Sequence, residues 1–273
     1  MSSIDATAIH DSLDPGVAAR MDQLEVFAEI ESTNSYLLQQ PAPAAGKHRV
    51  AIADHQTAGR GRQDREWISA PGSSLCLSLA YTFSTRPDNL PGLTLAIGVA
   101  ALNALRHSGI DDIFLKWPND LVAQDGKLGG MLAESQFRSE SNATVVAGIG
   151  INFDLPVQLI QENASRWAQR AVDLKALVHR PPTREAVSVA LIDNLVESLT
   201  VFEAEGFSAF VTSWRDHDWL RGRQITVDQS EGQISGTASG IDDDGALLLS
   251  SGDSTTRVIS GSIIVNGAAG TSV

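Results

Sequence analysis

The sequence predicts an α+β fold in two parts, a mixed α+β domain to about residue 220 and a small β-barrel or sandwich after it. Three observations point there. Strand-like and helix-period segments interleave from Gln23 to Trp219. From Gly222 onward only short β-prone runs remain, separated by turns rich in Gly, Asp and Ser. The 273 residues suffice for one large domain and one small one.

Residues 1–22 are polar and small and read as a flexible arm or a short helix. Gln23–Glu29 alternates as a first strand. Ser32 or Thr33 can cap a helix running through Gln40, and Pro41 to Gly46 ends it. Val50–His55 and Ser74–Phe83 read as strands. Leu93–Leu105 is the most apolar stretch. It falls short of the ~20 residues a membrane span needs, so it reads as a helix buried on most sides. Ile113–Trp117 and Met131–Phe137 read as strands flanking a turn region, Asp120–Gly130. Ala143–Phe153 is a strand whose alternating Gly148 and Gly150 signal close backbone approach. Val187, Leu191, Leu195, Leu199 and Phe202 share one helical face after a start signal at Thr183. Phe207–Trp219 reads as a second helix closing the main domain. The C-terminal strands are Gln224–Val227, Gln233–Gly240, Ala246–Ser250 and Thr256–Val265. Asp242-Asp243-Asp244-Gly245 lacks the alternate spacing and distal Glu of a calcium loop and reads as a hairpin turn.

With 20 Lys and Arg against 33 Asp and Glu, the net charge is −13, which disfavours a nucleic-acid-binding surface. The single cysteine, Cys76, cannot form an internal disulfide, which fits a reducing cytoplasm. It sits in a strand-like run, where free Cys packs as a small hydrophobe. The N-terminus carries Asp5, Asp11 and Asp14 and no long apolar run, so it does not read as a signal peptide. The six histidines are scattered and form no metal-binding pattern.

The most informative stretch is Gly59-Arg60-Gly61-Arg62-Gln63-Asp64, followed by Arg65 and Trp67. Glycine lets backbone N–H groups come close to a ligand. Arginine supplies a permanent charged fork for carboxylate or phosphate. No Gly-Lys-Ser/Thr follows, so this is not a Walker loop, and the third glycine of a dinucleotide fingerprint is missing. Alone, the stretch reads equally as a solvated basic turn. It is accompanied by Glu31-Ser32-Thr33-Asn34, Lys116-Trp117-Pro118-Asn119-Asp120, Gly126-Lys127-Leu128-Gly129-Gly130 and Gly148-Ile149-Gly150-Ile151-Asn152.

This ordered set resembles the biotin protein ligases, densely from Ser32 to Asn152 and more weakly to the C-terminus. The resemblance implies a mixed-sheet, class II synthetase-like ligase domain at residues 23–220 and an SH3-like β-barrel at 221–273. Many relatives carry an N-terminal winged-helix DNA-binding domain. Only about thirty residues precede Ser32 here, so the likeness is to the monofunctional ligases. The implied reaction joins biotin and ATP into biotinyl-5′-adenylate and transfers biotin to a lysine of a biotin carboxyl carrier domain. Mg²⁺ is expected as the ATP counter-ion, and the protein as a cytoplasmic monomer or homodimer that contacts neither nucleic acid nor membrane.

Within that resemblance Lys127 is the central candidate, a point charge able to bridge the biotin carboxylate and the α-phosphate. Arg62 matches the arginine that retains the adenylate, and Arg60, with Gly59 and Gly61 in the same stretch, is expected to contact the ligand carboxylate or phosphate. Arg65 is a weaker candidate. Ser32, Thr33, Asn34 and Gln56 are implied in holding the ureido end of biotin, with Gly130 near Lys127; Ser32 and Thr33 also read as helix caps. Asp120 is the candidate for orienting the carrier lysine or taking its proton. Asn119, Lys116 and Asn152 are candidates for nucleotide contact, Asn119 reading equally as an Asx-turn. Trp167 reads as an adenine-stacking or a packing residue. Gln63 and Asp64 depart from the family pattern of Arg or His followed by Gly. Three other readings remain open: a lipoate–protein ligase, a biotin sensor acting in transcription, and an inactive adenylate store.

Overall fold

The computed structural model describes residues 4–85, 87, 90, 92–137, 143–163 and 170–265. Its elements in chain order are α1 (Ala6–Ser12), α2 (Pro15–Ala18), β1 (Met21–Phe27), α3 (Thr33–Gln39), β2 (His48–Ala53), β3 (Ser74–Thr82) and α4 (Leu93–His107). Then follow β4 (Phe114–Lys116), β5 (Asp120–Ala123), β6 (Gly126–Phe137), β7 (Ala143–Asn152), α5 (Val157–Asn163), α6 (Leu174–Leu177), α7 (Arg184–Glu205), a 3₁₀ turn (Gly206–Ala209) and α8 (Val211–Asp216). The C-terminal part is β8 (Gln224–Gln229), β9 (Gly232–Ile241), β10 (Leu247–Ser251), β11 (Ser254–Val258) and β12 (Ser262–Val265).

The first seven strands form one mixed sheet in the order β1-β2-β3-β7-β6-β5-β4, parallel only at β1–β2. Alternation along the strands sorts large from small side chains. Val50, Ile52, Leu79, Tyr81, Val145 and Ala147 face the main core, which α4 and α7 cover. Ala51, Ala80 and Val146 face α3 with Leu37 in a smaller cluster. Continuing along that second face, β3 presents Cys76 and Ser78 opposite Gly150 and Gly148 of β7. Large apolar groups therefore pack one side of the sheet, and the other side is left small and polar.

The remaining five strands form an antiparallel sheet in the order β11-β10-β9-β8-β12, so the last strand returns to pair with the first. It packs onto the main domain through Trp117, whose Nε1 donates to the Gly245 carbonyl at 3.1 Å, and through Arg215, which donates to the Ile241 carbonyl and pairs with Asp243. Asp242 caps its own turn by accepting from the Asp244 and Ala246 amides, and Arg257 pairs with Asp242 and Asp244. The acidic triplet is thus a hairpin turn.

Three expectations change. The N-terminal segment takes the helical alternative and not the flexible arm: Ile4, Ile9, Leu13 and Val17 are buried, and α1 and α2 pack on α7. Asp120–Gly130 is not one long turn, because β5 and β6 pair through it and only Gln124 and Asp125 make the reversal, both at positive φ. Phe207–Trp219 splits into the 3₁₀ turn and α8. The helix at Leu93 and the one capped by Thr183 are as expected. Among the described residues no helix is long and apolar enough to cross a membrane.

His48, at the start of β2, is fully buried with no hydrogen-bond partner for either ring nitrogen. Burial, reinforced by Arg20 and opposed by Asp22, lowers its pKa to about 4. The folded state therefore keeps the ring neutral where the unfolded chain takes up a proton. Stability is fully present above pH ~6.5 and is lost as pH falls toward 4, by roughly 3 kcal/mol if the whole shift is expressed. Urea unfolding from pH 7 to pH 4.5 is expected to show a flatter stability profile for His48→Phe than for the wild type. Parallel profiles would remove His48 from the acid response.

Candidate functional site

A cavity of about 530 Å³ opens on the small, polar face of the main sheet. That is within the roughly 300–1,000 Å³ usual for small-molecule sites. Its floor is set by what glycine permits. A Cβ on Gly150 would lie 2.5 Å from the Trp67 indole, and one on Gly148 would lie 2.2 Å from Asn34 Oδ1. Both side chains rest directly on the β7 backbone, which explains the alternating glycines.

Polar groups link into a chain along one end of the cavity. Gln56 Oε1 accepts from the Thr33 amide at 2.8 Å, and Thr33 Oγ1 lies 2.7 Å from Ser78 Oγ. Ser78 donates to Asn34 Oδ1 at 2.6 Å, and Asn34 Nδ2 donates to Glu134 Oε2 at 2.9 Å. Arg60 closes the chain through an ion pair with Glu134 at 2.7 Å and a hydrogen bond to Ser35. Ser32 caps α3 by accepting from the Ser35 amide and also lines the cavity.

The opposite end is cationic. Lys127 Nζ sits 2.6 Å from Asp120 Oδ1 and 6.0 Å from the Trp67 ring centroid. The Lys127 backbone is pinned by its amide to the Arg170 carbonyl and by its carbonyl to the Val172 amide. Asn152 Nδ2 donates to the same Lys127 carbonyl. Gly130 leaves room for the lysine, since a Cβ there would lie 3.2 Å from Nζ. Lys116 is buried, and desolvation depresses its pKa, opposed by Asp120 and reinforced by Lys127 and Arg65. Desolvation likewise lowers the Arg62 pKa, with Asp120 opposing. Among the described residues the Arg62 guanidinium has no hydrogen-bond or ion-pair partner. A half-buried guanidinium without a partner, beside the buried Lys116 and the Lys127–Asp120 pair, is an arrangement that an anion would stabilise.

Residues 26–152 match the model for the biotin/lipoate A/B protein ligase family, and 221–265 match the biotin protein ligase C-terminal domain. The fold is similar to that of a biotin protein ligase from Aquifex aeolicus in complex with biotin and ATP, with a TM-score of 0.72, 26% identity and coverage of 89% of this chain and 98% of that one. The bifunctional ligase/repressor BirA of Salmonella typhimurium is 33% identical over 90% of this chain and 73% of its own length. A biotin–[acetyl-CoA-carboxylase] ligase of Mycobacterium tuberculosis is 32% identical over 96% of this chain and 95% of its own. The chain belongs to the biotin protein ligases.

Most of the residues expected of a biotin protein ligase converge here. Ser32, Thr33, Asn34, Gln56, Arg60, Gly61, Arg62, Lys116, Asn119, Asp120, Lys127, Gly130 and Asn152 all line the cavity, as does Arg65. Their partners refine the expected roles. Arg60 is held by Glu134 and anchors the loop to β6. Asn119 Nδ2 donates to the Met131 carbonyl and Asn152 Nδ2 to Lys127 and Val172, so both fix backbone as well as facing the cavity. Gly59 does not line the cavity. It lies under the loop base, where a Cβ would meet the Trp67 carbonyl at 2.4 Å. Trp167 lies outside the described residues. Cys76 is buried at the cavity floor, and burial pushes its thiol up to about 12, as suits packing.

The sequence alone assigns no role to Trp67, Ser78 or Glu134. Trp67 ends the Gly-Arg loop, so its place beside the ligand space was available as a signal. Ser78 shares the strand alternation of Cys76, and only the pairing of β3 with β7 places it opposite Gly148. Gly261, Ser262 and Ile263 bring the C-terminal sheet to the cavity wall.

Proposed function

We propose that this chain activates biotin with ATP as biotinyl-5′-adenylate and transfers it to one lysine of a carboxylase carrier domain. The observation that carries the reading is one cavity with two unlike ends: a linked amide and hydroxyl chain, and a set of cations gathered around one carboxylate. A neutral ureido ring suits the first, because each of its donors and acceptors needs a buried partner. A carboxylate meeting a triphosphate suits the second.

In the first step a biotin carboxylate oxygen attacks the α-phosphorus. The bond to the β-phosphate oxygen breaks and pyrophosphate leaves. Lys127 stands where it can neutralise both anions, and Arg62 can follow the charge on the transferred phosphate. In the second step the carrier amine attacks the acyl carbon, the acyl–phosphate bond breaks and AMP departs. Asp120, which already pairs with the Lys127 ammonium at 2.6 Å, would take up the carrier amine and accept its proton. Trp67 excludes water from the floor. Mg²⁺ would enter with ATP. Among the described residues no group of three or more His, Cys, Asp or Glu gathers, so the nucleotide phosphates would be its main ligands.

Biotin-dependent exchange of labelled pyrophosphate into ATP tests the first step alone. Exchange with biotin and none with lipoate is expected; exchange with lipoate alone would transfer the chain to the lipoate branch. Gly150→Ala provides a second check. Its Cβ would displace the Trp67 indole, a strain of about 1–3 kcal/mol, so biotin binding by calorimetry is expected to weaken about tenfold or more. Wild-type affinity in that variant would remove Trp67 from the site.

A further inference from the structure

We propose that Ser262 of the C-terminal sheet is a positioning residue whose hydroxyl clasps Gln63 and Arg65 and holds the Gly-Arg loop tip over the cavity. The consequence for the adenylate rests on the ligase reading above; the clasp itself does not.

The base of the loop is already fixed. Trp67 donates its amide to the Gly59 carbonyl at 2.9 Å, Arg60 and Glu66 form a bridge, and the Gly61 amide donates to the Arg65 carbonyl at 2.6 Å. The tip is different. Gln63 and Asp64 are consecutive non-glycine residues in the left-handed region, at φ 55° and 57°. Such residues are disfavoured there and need support from their surroundings. That support comes from the other part of the molecule. Arg65 Nη2 donates to Ser262 Oγ at 2.5 Å, and Ser262 Oγ donates to Gln63 Oε1 at 2.7 Å.

The proton directions are set by chemistry. A guanidinium only donates, so the serine accepts from Arg65 and its own proton goes to Gln63. Residue 63 must therefore be an acceptor. Glutamine meets that need through its Oε1. The anchor is rigid: Ser262 pairs with Asp228 between β12 and β8, and a Cβ on the preceding Gly261 would lie 2.5 Å from Val227 Cγ1. The clasp is also uncharged. A carboxylate at 262 would neutralise Arg65, whereas a hydroxyl leaves its charge available to an anion in the cavity.

The test compares wild type, Ser262→Ala, Ser262→Thr, Gln63→Leu and the Ser262→Ala/Gln63→Leu pair. The first readout is tryptic cleavage at Arg62 and Arg65 of the full-length, ligand-free protein. Ser262→Ala and Gln63→Leu are each expected to speed cleavage roughly tenfold, as for loss of one intramolecular hydrogen bond of the clasp. The pair should be no worse than either alone, and Ser262→Thr should restore protection. The second readout is the half-life of adenylate formed on the protein, expected to shorten in parallel, while the thermal midpoint and the rate of transfer from bound adenylate to the carrier stay near wild type. Wild-type cleavage in Ser262→Ala, or additive effects in the pair, would overturn the clasp and leave the ligase reading intact. Failure of every variant and the wild type to form adenylate would remove the ligase reading, and the cleavage data would still decide the clasp.

Discussion

Lys127→Ala is expected to slow adenylate formation by about 10²–10³-fold, the usual effect of deleting one group that stabilises transition-state charge. The fold should survive. The side chain is 34% exposed and its pair with Asp120 is partly solvated, so its loss costs at most about 1 kcal/mol. Lys127→Arg keeps the charge but not the compact ammonium, and Gly130 leaves space for little more than the lysine tip, so partial recovery is expected. Single-turnover quenching with biotin and ATP, read as adenylate formed per enzyme, measures the effect. Adenylation within a few-fold of wild type in Lys127→Ala would end the bridging role.

Arg62→Gly is expected to change fidelity more than rate. The guanidinium is half-buried without a partner among the described residues, an arrangement that becomes favourable when an anion arrives. Losing a charge-assisted hydrogen bond of about 1.5–3 kcal/mol should speed adenylate escape some 10- to 100-fold. Free adenylate acylates exposed amines, so bystander lysines should gain biotin. Mass spectrometry of an unrelated protein added to the reaction reads this directly. If labelling stays confined to the carrier lysine, Arg62 does not retain the intermediate.

The chemistry of this site was legible in the sequence because it is concentrated in short, unusual stretches. The Gly-Arg loop, Lys116–Asp120 and Gly126–Gly130 each carry charge beside backbone that can approach a ligand. Where the reading went astray, the cause was local composition. Asp120–Gly130 reads as a turn region, yet β5 and β6 pair through it, and a Cβ on Gly126 would strike Val172 and one on Gly129 the Gly150 carbonyl. The true reversal falls on Gln124 and Asp125, at an Asp-Gly step that marks a tight hairpin turn. The polar N-terminus carries Ile9, Leu13 and Val17 at helical i, i+4 spacing behind Ile4, but the polar and small residues between them mask the stripe; all four are buried. The hydroxyl chain was invisible for another reason. Thr33, Ser78 and Glu134 come from three distant segments, and only strand register brings them together. The contact between Ser262 and Gln63 spans 199 positions of sequence and is likewise a product of the fold.

The most direct test of the ligase reading is intact mass of a biotin carboxyl carrier domain after incubation with the protein, ATP, Mg²⁺ and an equal mixture of biotin and lipoate. A single biotin-sized gain on one carrier lysine, dependent on ATP and lost in Lys127→Ala, is the predicted result. A lipoyl gain, or no gain while the protein still binds biotin, would contradict it.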